Sequence, residues 1–205
     1  EATYPIGKIK YTDASIPVEI TMLGYSPFIP LDETKSGLPA TIFSIQIKNT
    51  SNQNIELDLA AWLENKTALH SAIAGNHMRT NTSFKTEHVT GVFSTVQNMI
   101  GSKTKIENTF DYGTLCLTTL NNNAKTSTSI KSTNGNDVFN INETEYTTKS
   151  VHQKLIGNIV STLNIAAGDT ITQDFIISWH TPNLVIGNGK ILAKTDEGRY
   201  YSNQF

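Results

Sequence analysis

The chain has 205 residues, a formal net charge of −2 and 17% charged side chains. The sequence has no run of Lys and Arg that would bind nucleic acid or an anionic membrane, so we expect neither as a partner. No apolar run reaches the roughly 18 residues that a membrane-spanning helix requires. We therefore expect a soluble chain, and an extracytoplasmic location is favoured.

A proline-rich connection follows an alternating, strand-like segment at residues 18–22. In this connection, which covers 24–31 and 38–41, prolines remove backbone donors and fix φ, so neither a helix nor a central strand is predicted. The same stretch has an apolar load that is unfavourable in water. We infer a rigid loop that a neighbour covers, and its apolar side chains are Tyr25, Phe28, Ile29 and Leu31.

Two alternating segments come next, at residues 41–48 and 55–64. The Asn- and Ser-rich stretch between them has the side chains that favour turns, so the order predicts a β-hairpin. In the second segment Trp62 shares parity with acidic residues and faces away from the predicted core. We expect its indole to lie under a covering loop, such as the proline-rich one, or under another domain, or to stack on a sugar ring.

The middle of the chain is less regular. Residues 67–74 have the best helical periodicity, and Gly75 with Asn76 would end that helix. Residues 121–150 are rich in Asn, Thr, Ser and Lys. Because such a segment buries little apolar surface, we predict a polar surface excursion with one short strand.

Strand-like alternation returns near residues 163–165 and runs through 171–179. The turn between these segments contains Gly168, which accommodates a positive φ, so a second hairpin is predicted. Residues 187–189 give a further turn signal. Trp179 falls on the apolar face of the last strand, where a core position is the simplest interpretation.

Cys116 is the single cysteine. No intrachain disulfide is possible, and its apolar neighbours Leu115 and Leu117 favour a buried, unreactive thiol over a nucleophile. Many short strands with turn chemistry between them predict an all-β fold. We assign residues 1–205 to one domain, a two-sheet antiparallel β-sandwich with long loops and little helix.

Several uncommon strings occur in a fixed order along this chain. They are Pro17-Val18-Glu19-Ile20, Tyr25-Ser26-Pro27-Phe28-Ile29-Pro30-Leu31, Leu38-Pro39-Ala40-Thr41, Asn49-Thr50-Ser51, Trp62-Leu63-Glu64-Asn65, Ser178-Trp179-His180-Thr181-Pro182-Asn183 and Gly198-Arg199-Tyr200-Tyr201. This order resembles the N-terminal domain of glycoside hydrolase family 116, which contains β-glucosidases and bile-acid glucosylceramidases. The resemblance covers residues 4–65 and 168–205.

The resemblance implies a noncatalytic domain that docks on a downstream α/α-barrel catalytic domain of the same polypeptide and borders its substrate entrance. The acid and the nucleophile of the family belong to that barrel, so no residue of this chain receives a catalytic role. The substrate, a β-glucoside or a glycolipid, would be met through the parent enzyme. The candidates for domain docking or sugar contact are Tyr25, Phe28, Ile29 and Trp62.

The residues themselves point to no reaction. Glycoside hydrolysis needs two carboxyl groups facing one bond, and the spacing of the 18 acidic residues selects no pair. The five histidines lack the spacing of a zinc site. We expect no metal and no cofactor, and we do not expect this chain alone to be an enzyme.

Two other functions remain open from the sequence. A free-standing carbohydrate-binding module needs only one or two exposed rings on a sandwich, and Trp62 is a candidate for such a ring. A surface adhesin or another structural sandwich is suggested by the Thr- and Asn-rich composition.

Overall fold

The computed structural model describes residues 2–102, 105–183, 185–186 and 190–191. The strands are β1 Ala2–Thr3, β2 Ile6–Tyr11, β3 Val18–Tyr25, β4 Ala40–Asn49, β5 Ile55–Glu64, β6 Met78–Lys85, β7 Thr90–Gln97, β8 Thr114–Thr119, β9 Lys125–Ser127, β10 Tyr146–Ser150, β11 Ile156–Ile165, β12 Thr170–His180, β13 Val185–Ile186 and β14 Lys190–Ile191. Helices are short: α1 Glu33–Ser36, α2 Ser71–Ala74 and two 3-10 turns, Ile106–Asn108 and Gly135–Phe139.

Two antiparallel sheets form the sandwich. The larger has nine strands in the order β1-β2-β3-β4-β12-β8-β7-β6-β10, and the smaller has three in the order β5-β11-β9. β13 and β14 pair with each other. The all-β sandwich with little helix that the alternation predicts is confirmed. No helix within the described residues is long and apolar enough to cross a membrane.

The apolar core lies between the two sheets. Near the turns that follow β4 and β11, Ile47 from the large sheet meets Leu163 and Ile165 from the small one. Further along, Phe175 of β12 packs in one cluster with Ile159 of β11. These side chains are almost fully buried, as their inward positions on the strands predict.

Both predicted hairpins are wrong, because each turn carries the chain from one sheet to the other. β4 belongs to the large sheet and β5 to the small one, while β11 pairs with β5 and β9, and β12 pairs with β4 and β8. A hairpin and such an arch share the same alternation and the same turn residues. They differ in whether the two apolar faces lie side by side or face each other, which alternation alone does not reveal.

One buried side chain joins the two arches. The Nδ2 of Asn49 donates to the carbonyl oxygens of Gln53, Ile165 and Ala166 at 2.7, 3.1 and 3.1 Å, and its backbone N–H donates to the carbonyl of Asp169 at 2.9 Å. Gly168 has the predicted positive φ, 78°. The turn predicted at residues 187–189 lies outside the described residues.

The helix predicted over 67–74 is reduced to the single turn α2, and the chain leaves it at Gly75, as expected. Residues 121–150 differ more from the prediction of a surface excursion. Their strand β9 joins the small sheet, and Thr128, Ile130 and Val138 are buried. Paired polar groups replace apolar burial here, since the Nδ2 of Asn81 donates to the Thr128 carbonyl at 2.9 Å.

Candidate docking surface

Strand direction brings several loops to one end of the sandwich, the end at which β12 finishes. We call it the His180 end. Because Ser178 pairs with Ala40, His180 with Thr114, and Met78 with Gln97, the segments at this end are 26–39, 65–77, 98–102, 105–113 and 181–183. Loops gathered at one end of a scaffold of strands are the usual place for a binding surface.

The proline-rich loop 26–39 is a compact structure at this end. The Oγ of Ser36 donates to the carbonyl of Ile29 at 2.9 Å and accepts from its N–H at 2.8 Å. The Oδ1 of Asp32 caps α1 by accepting from the N–H of Lys35 at 2.9 Å. Local hydrogen bonds thus hold the loop in one shape, as the prolines predict.

The apolar side chains of this loop are open to solvent. Phe28 is 47% exposed and Ile29 45%, Leu31 is fully exposed, and Tyr25 is half-buried at the end of β3. The edge of one ring of the pair Tyr4–Phe28 meets the face of the other, with centroids 5.5 Å apart. The described part of the chain does not cover the loop, so the covering neighbour inferred from its composition stays a prediction.

Trp62 lies on the outer face of the small sheet. It sits opposite Asn158 in the pairing of β5 with β11, two residues before β5 ends, and 44% of its surface is exposed. The alternation of side chains along β5 therefore predicts the correct face for the indole ring. The proline-rich loop joins two strands of the other sheet and leaves the indole exposed.

The core position predicted for Trp179 is wrong. Phe175 and Ile177 of β12 belong to the core, and Trp179 shares their parity, but it is 36% exposed. β12 runs beyond the end of the core, so its last inward position faces the rim of the sandwich. The Trp179 N–H donates to the Pro39 carbonyl at 3.0 Å, which attaches the proline-rich loop to this strand.

A second exposed apolar group at the His180 end was not predicted. It lies on α2 and on the two loops beside β7 and β8, and its members are Leu69, Ile73, Met99, Ile100 and Phe110. The ring of Phe110 stacks on His70 with centroids 6.2 Å apart. In the sequence Leu69 and Ile73 fall within the helical pattern of residues 67–74, whereas the others lie in segments without periodicity, so no single pattern marks the group.

The Asp111 carboxylate joins the loop that carries Phe110 to the start of α2. Its Oδ2 accepts from the N–H groups of His70 and Ser71, at 2.8 and 3.0 Å, where α2 begins. Burial acts to raise the pKa of Asp111, but the hydrogen bonds from Ser71 and His70 outweigh it, and the pKa is lowered. The carboxylate is therefore ionised and fixed in a structural role.

Two buried cationic or polar side chains attach the same loops to the large sheet. The Nε of Arg79 donates to the carbonyl of Thr67 at 3.0 Å, and the Nδ1 of His77 accepts from the N–H of Met99 at 3.1 Å. Desolvation lowers the pKa of Arg79, while Glu64 and Asp111 act to raise it. The loops that present the apolar side chains are thus fixed to the sheet beneath them.

The described residues contain no cluster of three or more His, Cys, Asp or Glu side chains that could hold a metal ion. Most of their large exposed apolar side chains belong instead to the His180 end, namely Tyr4, Phe28, Ile29, Leu31, Leu38, Leu69, Ile73, Met99, Ile100, Phe110 and Trp179. The opposite end exposes fewer, such as Ile16 and Leu120. A concentration of this kind is typical of a surface that another body covers.

Fold and surface thus define a β-sandwich domain with one apolar end. The model of the family described as beta-glucosidase 2, glycosyl-hydrolase family 116 N-term, matches residues 1–205. The chain belongs to this family, the N-terminal domains of glycoside hydrolase family 116. The match includes residues 66–167, which the resemblance noted from the sequence did not cover.

Three solved structures are similar to this chain at low identity and low TM-score. A protein assigned as a kojibiose phosphorylase from the human microbiome has 11% identity and a TM-score of 0.41, over 85% of this chain and 18% of that one. A protein assigned as an aldose 1-epimerase from Klebsiella pneumoniae has 10% identity and a TM-score of 0.38, over 86% of this chain and 52% of that one. The Slr1438 protein of Synechocystis sp. PCC 6803 has 6% identity and a TM-score of 0.37, over 86% of this chain and 61% of that one.

The chain therefore spans less than two thirds of each of these structures. No curated protein matches it.

Proposed function

We propose that this chain is the noncatalytic N-terminal β-sandwich domain of a β-glucosidase- or glucosylceramidase-like glycoside hydrolase. Its His180 end docks on a downstream α/α-barrel catalytic domain of the same polypeptide and borders the entrance for a β-glucoside or glycolipid. The proposal rests on one observation: exposed apolar side chains are concentrated at the His180 end, where β12 finishes.

The position of β12 makes docking at this end efficient. A domain that follows in the same polypeptide is tethered to the His180 end, where β12 finishes, so its effective concentration there is high and a surface of modest affinity is enough. The apolar side chains supply the favourable term, at about 25 cal/mol for each Å² removed from water. The hydrogen bonds that fix loop 26–39 and α2 lower the ordering cost of docking.

The carboxyl groups at this end support a noncatalytic role. A glycosidase general acid needs a raised pKa. Here a hydrogen bond from Asn98, at 2.8 Å, is the main cause that lowers the pKa of Glu107, and the pKa of Asp111 is also lowered. Both acids remain ionised and are engaged by their own loops.

Oxidative footprinting tests the docking. The 205-residue chain is compared with the polypeptide that extends through the barrel, and labelling of Phe28, Phe110 and Trp179 is measured in both. We expect these three to be protected in the longer polypeptide only. Leu120, exposed at the opposite end, serves as the matched control and keeps its labelling, while buried Phe175 reports that both proteins are folded.

Equal labelling of Phe28, Phe110 and Trp179 in the two folded proteins would contradict docking at the His180 end. The noncatalytic role is tested separately with an aryl β-glucoside. We expect hydrolysis by the longer polypeptide and none by the 205-residue chain. Turnover by the shorter chain would contradict this part of the proposal.

A second candidate function rests on Trp62, whose indole is exposed and fixed on a regular strand. A flat aromatic side chain of this kind stacks on sugar rings in carbohydrate-binding modules. Titration of tryptophan fluorescence with glucans tests it, and Trp62→Ala is the control. A saturable change that disappears in the variant supports this function, and no change in either protein contradicts it.

A further inference from the structure

The two sheets of the sandwich end at different places on the side where β2 lies. β5 is an edge strand of the small sheet, and its side chains Ile55 and Leu57 pack in one cluster with Val18 and Ile20 of β3. The large sheet continues beyond β3 through β2 and β1. The described part of the small sheet therefore does not cover β2. We call this uncovered strand, Ile6–Tyr11, the β2 ledge.

The inward face of the β2 ledge is apolar. Ile9 pairs with Met22, and Tyr11 with Ile20, so both side chains point to the side on which Ile20 joins the core. Ile9 is nevertheless 46% exposed and Tyr11 49%. Two side chains on the core face of the large sheet are thus open to solvent, and contact with another apolar surface would be favourable for them.

Both strands that border the uncovered region have a free edge. Within the described residues, β5 pairs only with β11, and β1 pairs with Ile6 and Gly7 alone on the outer side of β2. Residues 9–11 of the β2 ledge and residues 55–64 of β5 therefore present backbone donors and acceptors to a further strand. Addition of a strand from another chain is a common way to satisfy such an edge.

Strand directions allow two copies of the chain to satisfy each other's edges. β2 is antiparallel to β3, and β3 to β4, while β5 runs back from the arch that follows β4. β2 and β5 thus run in opposite directions. A twofold axis parallel to the strands, placed between the two layers, keeps each direction and exchanges the layers. The β2 of each copy then pairs antiparallel with the β5 of the other.

The apolar faces match in the same arrangement. The two β2 ledges face each other across the twofold axis, so Ile9 and Tyr11 of one copy pack on the same residues of the other and extend the core. The paired strands also lie at the same level of the sandwich. Tyr11 pairs with Ile20, Ile20 pairs with Ile47, and Ile55 packs in the cluster of Ile47.

Charge complementarity favours this arrangement as well. Lys10 pairs with Thr21 and lies on the outer face of β2, while Glu56 and Asp58 are exposed on the outer face of β5. When the β2 of one copy extends the small sheet of the other, these outer faces become continuous. Lys10 then lies beside the two carboxylates, and opposite charges on neighbouring strands stabilise their pairing.

We infer that this chain forms a twofold-symmetric dimer with a second copy of itself, in which the β2 ledge of each copy pairs with the free edge of β5 in the other. The interface lies along the side of the sandwich and not at the His180 end. The inference does not rest on the proposed function, and either can fail without the other.

Analytical ultracentrifugation of the full chain over a series of concentrations tests the inference. We expect a concentration-dependent equilibrium between one copy and two, without larger species, because the symmetry pairs both edges. Ile9→Lys places a charge in the shared apolar layer and should weaken the dimer by about tenfold or more. Ile100→Lys, at a fully exposed position of the His180 end, is the matched control and should leave the dimer unchanged.

A charge exchange tests the outer face and keeps the apolar surface intact. We expect Lys10→Glu to weaken the dimer by about tenfold, because like charges then lie on neighbouring strands. Addition of Glu56→Lys and Asp58→Lys should restore the dimer, since opposite charges face each other again. Lys85→Glu, at an exposed position of β6 near the other edge of the large sheet, changes the net charge equally and is the control.

Carbodiimide cross-linking of a mixture of isotope-labelled and unlabelled chains locates the interface. A mixed-isotope peptide that joins Lys10 to Glu56 or Asp58 would support the arrangement. A chain that stays monomeric at about 1 mM, where even a weak dimer forms, would overturn it. A dimer that both Ile9→Lys and Lys10→Glu leave intact, or growth beyond two copies, would also overturn it. Circular dichroism shows whether each variant is folded, and Lys10→Glu at the exposed outer face serves if Ile9→Lys is not.

Discussion

The backbone N–H of Trp179 donates a hydrogen bond to the carbonyl oxygen of Pro39 at 3.0 Å. This bond connects the last inward residue of β12 to the last proline of loop 26–39. The two parts of the surface that the sequence marks separately, the proline-rich loop and the Ser-Trp-His string, are therefore one structural unit. A body that covers one of them approaches the other as well.

The end of β12 is also held from its other side, at Gly113. A Cβ at this position would lie 2.5 Å from the carbonyl oxygen of His180, which is backbone and has no rotamer to escape into. We expect Gly113→Ala to lower the free energy of unfolding by about 1–3 kcal/mol, measured by urea denaturation. Gly7→Ala, whose Cβ would lie 3.6 Å from the nearest atom, is the control. Equal urea midpoints for the two variants would show that the backbone of β12 does not exclude a Cβ at residue 113.

Asn49 provides a test of the two arches. Its amide donates to three carbonyl oxygens, and the residue is fully buried. We expect Asn49→Ala to cost about 1–3 kcal/mol of stability because it leaves buried carbonyls without a donor. Asn49→Asp should cost more, since a carboxylate would face those same oxygens. Asn52→Ala, in the exposed part of the same turn, is the control, and a loss of similar size there would contradict the role of Asn49.

Asp111 makes the start of α2 sensitive to acid. Because its pKa is lower in the folded chain than the usual 3.8, ionised Asp111 stabilises the folded state above that value. This contribution is lost as the pH falls through the lowered pKa. Below about pH 5 we expect the wild type to lose more stability than Asp111→Asn, whose amide oxygen still accepts a hydrogen bond, and the difference should grow as the pH falls through the lowered pKa.

Amide exchange at His70 and Ser71, measured across the same pH range, locates the effect. Their protection factors, which correct for the slower intrinsic exchange at low pH, are expected to fall in the wild type and not in Asp111→Asn. Identical acid profiles of the two proteins would show that the carboxylate does not stabilise α2.

Cys116 is half-buried on β8, less than its apolar neighbours predict, and this partial burial raises the pKa of its thiol from 9.0 to about 11. At pH 8 the thiolate fraction is then about a hundredfold smaller than in the unfolded chain, so we expect reaction with a thiol reagent to slow by at least that factor. The denatured protein in guanidinium is the control. Comparable rates in the folded and unfolded states would contradict an unreactive thiol at Cys116.

The sequence predicts the architecture because alternation reports directly which strands have one buried face. Ile45, Ile47 and Phe175 follow that rule and lie in the core. It does not predict how the strands are connected, since the arches at 50–54 and 166–169 have the chemistry of hairpin turns. The partner of each strand is decided by contacts far along the chain, which no local pattern records.

Composition does not predict the packing of the middle of the chain, because polar side chains build part of its core. The Nδ2 of Asn65 donates to the Oδ1 of Asn81 at 3.0 Å, and Ser94 donates to the same oxygen at 2.8 Å, all in buried positions. A polar composition indicates exposure or disorder only when the polar groups have no partners inside. The exposed group around Phe110 is not predicted because its members come from three separate segments, which only the fold brings to one end.

The Ser44–Asp174 hydrogen bond joins β4 to a strand 130 residues later. The ribosome therefore synthesises almost all the rest of the domain before β12, the second partner of β4, is available. Until then β4 can pair only with β3. During that interval the nascent β3–β4 ribbon displays an unsatisfied edge, and its apolar face has no opposing layer. Translation speed and chaperone access, rather than the stability of the finished sandwich, should then govern how much native protein a cell recovers, and slow release of residues 170–180 should favour aggregation.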